Sequence, residues 1–133
     1  MKIIKIVIDQ SIDETGALEE FTWDLFTIVD SAKTLHLHDQ GIPKLGTRIR
    51  EGMIVFGKFG KTVYFDENNQ PTSLELHTLS FEKLRAKYGK MWKDTSIYAT
   101  KDMEGTIVNA YVENVENRLR GVVEIDVDSM GSD

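Results

Sequence analysis

His36 and His38 lie two positions apart with Asp39 beside them. On a strand that spacing turns both imidazoles to one face, where a divalent cation could bridge them. A third ligand such as His77 would have to come from a distant segment, and polar histidines beside a turn are common without a metal. No metal or other cofactor is therefore expected. The run Gly57-Lys58-Phe59-Gly60-Lys61 has the residue types of a phosphate loop. It lacks the Gly-x-x-x-x-Gly-Lys-Ser/Thr spacing and opens no helix, so its amides would not converge on an anion. A strand kink with two exposed lysines is the simpler expectation. The chain has no cysteine, and no serine or threonine pairs with a base at a recognisable spacing, so no catalytic residue is assigned.

Two groups of residues suit binding better than catalysis. Lys83, Lys87 and Lys90 recur at helical spacing opposite Phe81, Leu84 and Tyr88, giving a basic stripe that could face nucleic acid or simply solvent. The segment Glu113 to Gly121 reads as the turn of a hairpin. Within it Asn114, Val115, Asn117, Arg118, Leu119 and Arg120 form a candidate docking tip, because arginine and apolar side chains among polar neighbours are common interface anchors.

The whole chain constrains what those groups can meet. Its 133 residues suffice for one domain with a single core. A formal charge of −6 disfavours free binding to phosphate backbones. Apolar runs such as Met53 to Phe56 are far too short for a membrane span, and a long apolar leader core is lacking. A cytoplasmic protein with no membrane partner is expected. The final Gly131-Ser132-Asp133 reads as a cloning remnant.

Several elements must position these side chains. Ile4, Ile6 and Ile8 alternate along a strand from Ile3 to Ile8. Ser11 and Glu14 have capping-box spacing, and Leu18, Phe21, Leu25, Ile28 and Ala32 recur at helical intervals, predicting a helix, although Phe21, Trp23 and Leu25 also alternate. Strands are expected over Met53 to Phe59, Thr62 to Phe65, Ser73 to His77, Thr95 to Thr100, Thr106 to Val112 and Leu119 to Val127, with a turn-rich Asp66 to Pro71. Ser80 is a suitable N-cap for a helix that Gly89 would end. Val123, Ile125 and Val127 alternate with Glu124, Asp126 and Asp128, the pattern of a sheet with one wet face. The fold class is α+β: mostly antiparallel strands and hairpins with one or two helices, forming one domain over residues 1–130.

Three blocks carry a resemblance. They are Arg50-Glu51-Gly52-Met53-Ile54-Val55-Phe56-Gly57-Lys58, then Glu82-Lys83-Leu84-Arg85-Ala86-Lys87-Tyr88-Gly89, then Lys93-Asp94-Thr95-Ser96 followed by Glu104-Gly105-Thr106-Ile107-Val108. In order and spacing they resemble the flap region of the beta subunit of multisubunit DNA-directed RNA polymerases. That family has a Gly-Asp-Ile-Leu-Val-Gly-Lys strand, a Glu-Lys-Leu-Leu-Arg-Ala helix ending in Phe-Gly, an Asp-Thr-Ser segment and a Gly-Thr-Val strand. Here Met53 stands for the usual Asp, and Tyr88 for the Phe.

The resemblance implies a flap-like, non-catalytic module flanking the RNA exit channel, and either an excised domain or part of a divided subunit. Its partners would be the other polymerase subunits and transcription factors docking at the tip, with nascent RNA near Lys83, Lys87 and Lys90. The short Asn114 to Arg120 turn replaces the longer bacterial tip, a trimming that resembles the minimal polymerases of large bacteriophages; the compartment would then be the host cytoplasm. Two other readings stand beside it: a freestanding β-rich protein-binding domain, and a small metal-dependent enzyme using His36, His38 and His77.

Overall fold

The computed structural model describes residues 1–13, 16–25, 28–61, 71–88 and 92–128. Within them the chain is α+β and mostly antiparallel. The strands are β1 (Lys2–Asp9), β2 (Glu20–Phe21), β3 (Arg48–Ile49), β4 (Ile54–Phe56), β5 (Lys58–Lys61), β6 (Trp92–Asp94), β7 (Ile97–Tyr98), β8 (Gly105–Val115) and β9 (Arg118–Val127). The helices are α1 (Ser73–Thr78) and α2 (Phe81–Tyr88). Strands β1-β9-β8-β3 form the main sheet, β2-β5-β6 a second, and β4-β7 a two-stranded ribbon.

The alternation in β1 and β9 has the consequence the sequence predicts. Ile4 faces Ile125, and Ile6 faces Val123; one face of the sheet thus covers an apolar cluster with Ile49, Val55, Phe56 and Ile107. A second cluster joins Leu25, Val29, Leu37, Ile54, Phe59, Leu84 and Trp92. Strand β4 separates the two, sending Ile54 into one and Val55 and Phe56 into the other. All three are buried, which explains why this strand is continuously apolar rather than alternating.

Several sequence expectations are corrected. The helix expected from Ser11 to Ala32 is replaced by a loop and strand β2. Asp13 accepts the Ala17 amide on its side chain and donates its own amide to the Ala17 carbonyl, while Gly16 takes a φ of 86°. The short side chain competes with helical bonding, and a left-handed glycine ends it. Ile12 then bridges Leu18, and among the described residues of this stretch only the 3-10 turn at Ser31–Thr34 is helical. Glu14 lies outside the described residues.

The strand expected over Ser73 to His77 is helix α1. Thr72 and Glu75 form a reciprocal capping box, a local signal that outweighs the two-residue alternation of Leu74 and Leu76. Helix α2 forms as expected, with Ser80 Oγ accepting the Lys83 amide at 3.3 Å. The strand expected from Met53 to Phe59 breaks at Gly57. That expected from Thr95 to Thr100 is displaced to β6 and β7, because Ser96 Oγ both accepts the Lys58 amide and donates to the Lys58 carbonyl, at 3.1 Å each. Thr62 to Phe65, Asp66 to Gln70, Gly89 and Gly131 to Asp133 lie outside the described residues.

Candidate docking hairpin and basic helix

The candidate tip closes the two longest strands. Strands β8 and β9 pair from Gly105↔Val127 to Val115↔Arg118. Glu116 and Asn117 turn the chain with φ of 53° and 68°. Two successive left-handed residues are what a two-residue hairpin turn requires, since their twist matches the strands. The Asn117 amide donates to Asn114 Oδ1 at 3.1 Å, which offsets part of the steric cost of that conformation. The register separates the apolar candidates. Val115 faces Arg118, whereas Leu119 faces Asn114, and successive residues point to opposite faces. Val115 and Leu119 therefore do not make one patch.

The base of the hairpin is fastened to the end of β1. Gln10 donates its amide to the Leu119 carbonyl and accepts the Leu119 amide on Oε1, each at 2.9 Å. Its Nε2 donates to the Glu19 carbonyl at 2.6 Å. Arg120 meets Asp9 through Nε at 2.6 Å and Nη2 at 3.3 Å. That two-point contact holds the Asp9 carboxyl below its usual value, chiefly through the Arg120 hydrogen bond. Arg118 reaches the Gln10 carbonyl at 3.5 Å. The tip is thus held on a braced stem, with Asn114, Glu116, Asn117 and Arg118 exposed. Gln10 and Asp9 were not singled out by sequence, because their partners lie 109 and 111 residues away.

The basic stripe is only partly free. Lys83 is exposed. Lys87 is held by Glu75 of α1, which also accepts the Tyr88 hydroxyl, so one carboxylate joins both helices. Lys90 lies outside the described residues. Glu75 is pulled down to about 2, first by the Lys87 hydrogen bond, then by Tyr88 and the Thr72 amide. Because the folded-state value lies below the unfolded one near 4.5, the stabilisation from Glu75 is complete above that pH and is lost as pH falls toward 2. Glu75→Gln is accordingly expected to lower the thermal midpoint at pH 7, with the gap to the parent protein closing by pH 2; circular dichroism at both pH values checks it.

The histidines do not converge. His36 is bonded through Nε2 to the Ile54 carbonyl at 2.7 Å, while His77 lies on α1. His36 and His38 lie on the turn and loop that follow the 3-10 turn, not on a strand. Among the described residues no three histidine, aspartate or glutamate side chains are grouped as a metal would need.

The expectation of two exposed lysines at the Gly57 kink is also corrected. Lys58 is buried, and its Nζ donates to Glu19 Oε1 at 2.8 Å, with both side chains only 7% exposed. The Ser11 amide reaches the same oxygen at 3.3 Å. Lys61 is half-buried and lies over the Trp92 ring at 5.9 Å. The spacing alone gave no sign of Glu19, which arrives from the loop just before β2.

Comparison with protein-family models and with curated proteins finds no match to this chain. Among the described residues no helix is long and apolar enough to cross a membrane.

Proposed function

We propose that the chain is a flap-like structural and factor-docking module of the beta subunit of a DNA-directed RNA polymerase, of the minimal type found in large bacteriophages. The supporting observation is that the first block meets both parts of the third and shares a cluster with the second. The Lys58 amide donates to Ser96 Oγ at 3.1 Å, and the Glu51 amide to Glu104 Oε2 at 3.0 Å. The Thr95 amide donates to the Lys58 carbonyl at 3.2 Å. Leu84 of the middle block shares one apolar cluster with Ile54 of the first.

In this reading the module is not itself catalytic. Its hairpin from Asn114 to Arg120 offers Val115, Arg118 and Leu119 to transcription factors, and α2 turns Lys83 toward nascent RNA in the assembled enzyme, in the host cytoplasm. Glu75 leaves Lys87 less charge to offer. The gene's setting tests the reading. Coding sequence for a lysine-bearing polymerase active-centre segment, in the same frame or in an adjacent gene, is expected; a genomic neighbourhood without any polymerase subunit would overturn it.

A further inference from the structure

The main sheet ends at β1, which pairs with β9 on one side and with no other strand of the described residues on the other. Backbone direction along β1 follows from its continuation. Gln10 turns its amide to β9 by donating to the Leu119 carbonyl at 2.9 Å, whereas Ser11 turns away, accepting the Glu19 amide at 2.8 Å. Antiparallel alternation then directs the even-numbered residues of β1 to β9 and leaves Ile3, Lys5, Val7 and Asp9 with amides and carbonyls facing the open edge. Ile3 and Val7 are 49% and 48% exposed. No proline or bulge interrupts β1; of the usual devices that guard such an edge it carries only the charges of Lys2 and Lys5.

We propose that this edge takes up an extended, acidic polypeptide segment as a further strand. The alternation of donors and acceptors selects a polypeptide: outward carbonyls would repel a phosphate backbone, while a strand satisfies both. Charge selects the sign. Lys2 and Lys5 are exposed on β1, whereas its one carboxylate, Asp9, is taken by Arg120. Glu124, opposite Lys5 in register, receives the Asn109 amide group at 2.7 Å. A second copy of the chain would bring the same lysines against Lys2 and Lys5, so self-pairing is the poorer match. Side chains at alternate positions of the incoming strand would extend the apolar layer of Ile4, Ile6 and Ile8, with acidic residues between them facing Lys5. The proposal stands on the geometry of the edge and is independent of the polymerase reading.

The test uses the purified chain labelled with nitrogen-15 and two capped peptides, one alternating valine with glutamate and the other valine with lysine. The valine–glutamate peptide is expected to shift the amides of Ile3, Lys5, Val7 and Asp9 above those of Ile4, Ile6 and Ile8, and the valine–lysine peptide to leave them in place. Lys5→Pro removes an outward amide that β9 does not use, a substitution edge strands tolerate; it should weaken binding at least about tenfold. Lys5→Glu, which keeps the backbone intact, should reverse the preference between the peptides. Equal response to both peptides, shifts confined to another surface, shifts of β1 by a short RNA, or concentration-dependent self-association of the chain alone through β1 would each overturn the proposal.

Discussion

Gly57→Ala is expected to destabilise the protein by roughly 3 kcal/mol, near the upper end of what overpacking a tight interior costs. A Cβ at Gly57 would lie 2.4 Å from the Thr22 carbonyl oxygen and 3.0 Å from Leu37 Cδ1. The first neighbour is backbone, so no change of rotamer relieves it. Three chain segments meet there: Thr22 donates to the Gly57 carbonyl at 2.9 Å, and Gly57 to that of Gly41 at 2.8 Å. Gly41 has a φ of 78°, and a Cβ on it would stand 2.2 Å from the Gly57 oxygen, so neither glycine can yield to the other. Gly46 is the control. It has a φ of 82° but open space around it, so Gly46→Ala should cost only about 1 kcal/mol from backbone conformation. Urea unfolding of the two variants decides the matter; equal costs would contradict the account of this junction.

Lys58→Met is expected to cost about 3–5 kcal/mol at pH 7, because it leaves the Glu19 carboxylate buried without its cation. The Ser11 amide at 3.3 Å is a poor substitute for a full charge. Pairing the change with Glu19→Gln removes the stranded charge while keeping an oxygen for Ser11. The double variant should therefore recover most of the loss, since a buried ion pair contributes little over a well-packed neutral pair. A double-mutant cycle in urea measures the coupling. A value near zero would mean that the two side chains do not depend on one another in solution.

The sequence disclosed elements whose signals are local. β1 and β9 alternate cleanly, and α2 has its Ser80 cap. β8 and β9 were legible as a hairpin because strand propensities flank a polar turn. The segment from Ser11 to Ala32 was not, because apolar residues spaced for a helix also served a loop whose course is set by Asp13, Gly16 and the distant β5. For α1 the capping box was present in Thr72 and Glu75, but the alternation of Leu74 and Leu76 drew the reading toward a strand. The tip residues were found, yet the bracing by Gln10 and Asp9 was hidden by sequence separation. Lys58 was misplaced for the same reason: whether a lysine on a strand is exposed depends on what lies across from it, and Glu19 comes from another part of the chain.

The proposed assembly is tested most directly by affinity purification of the native polypeptide that carries this chain, from cells in which its gene is expressed, with the co-purifying proteins identified and quantified. Recovery of the other large RNA polymerase subunit in amounts comparable to the bait is the result expected. Recovery of the bait at full yield with no polymerase subunit would contradict it.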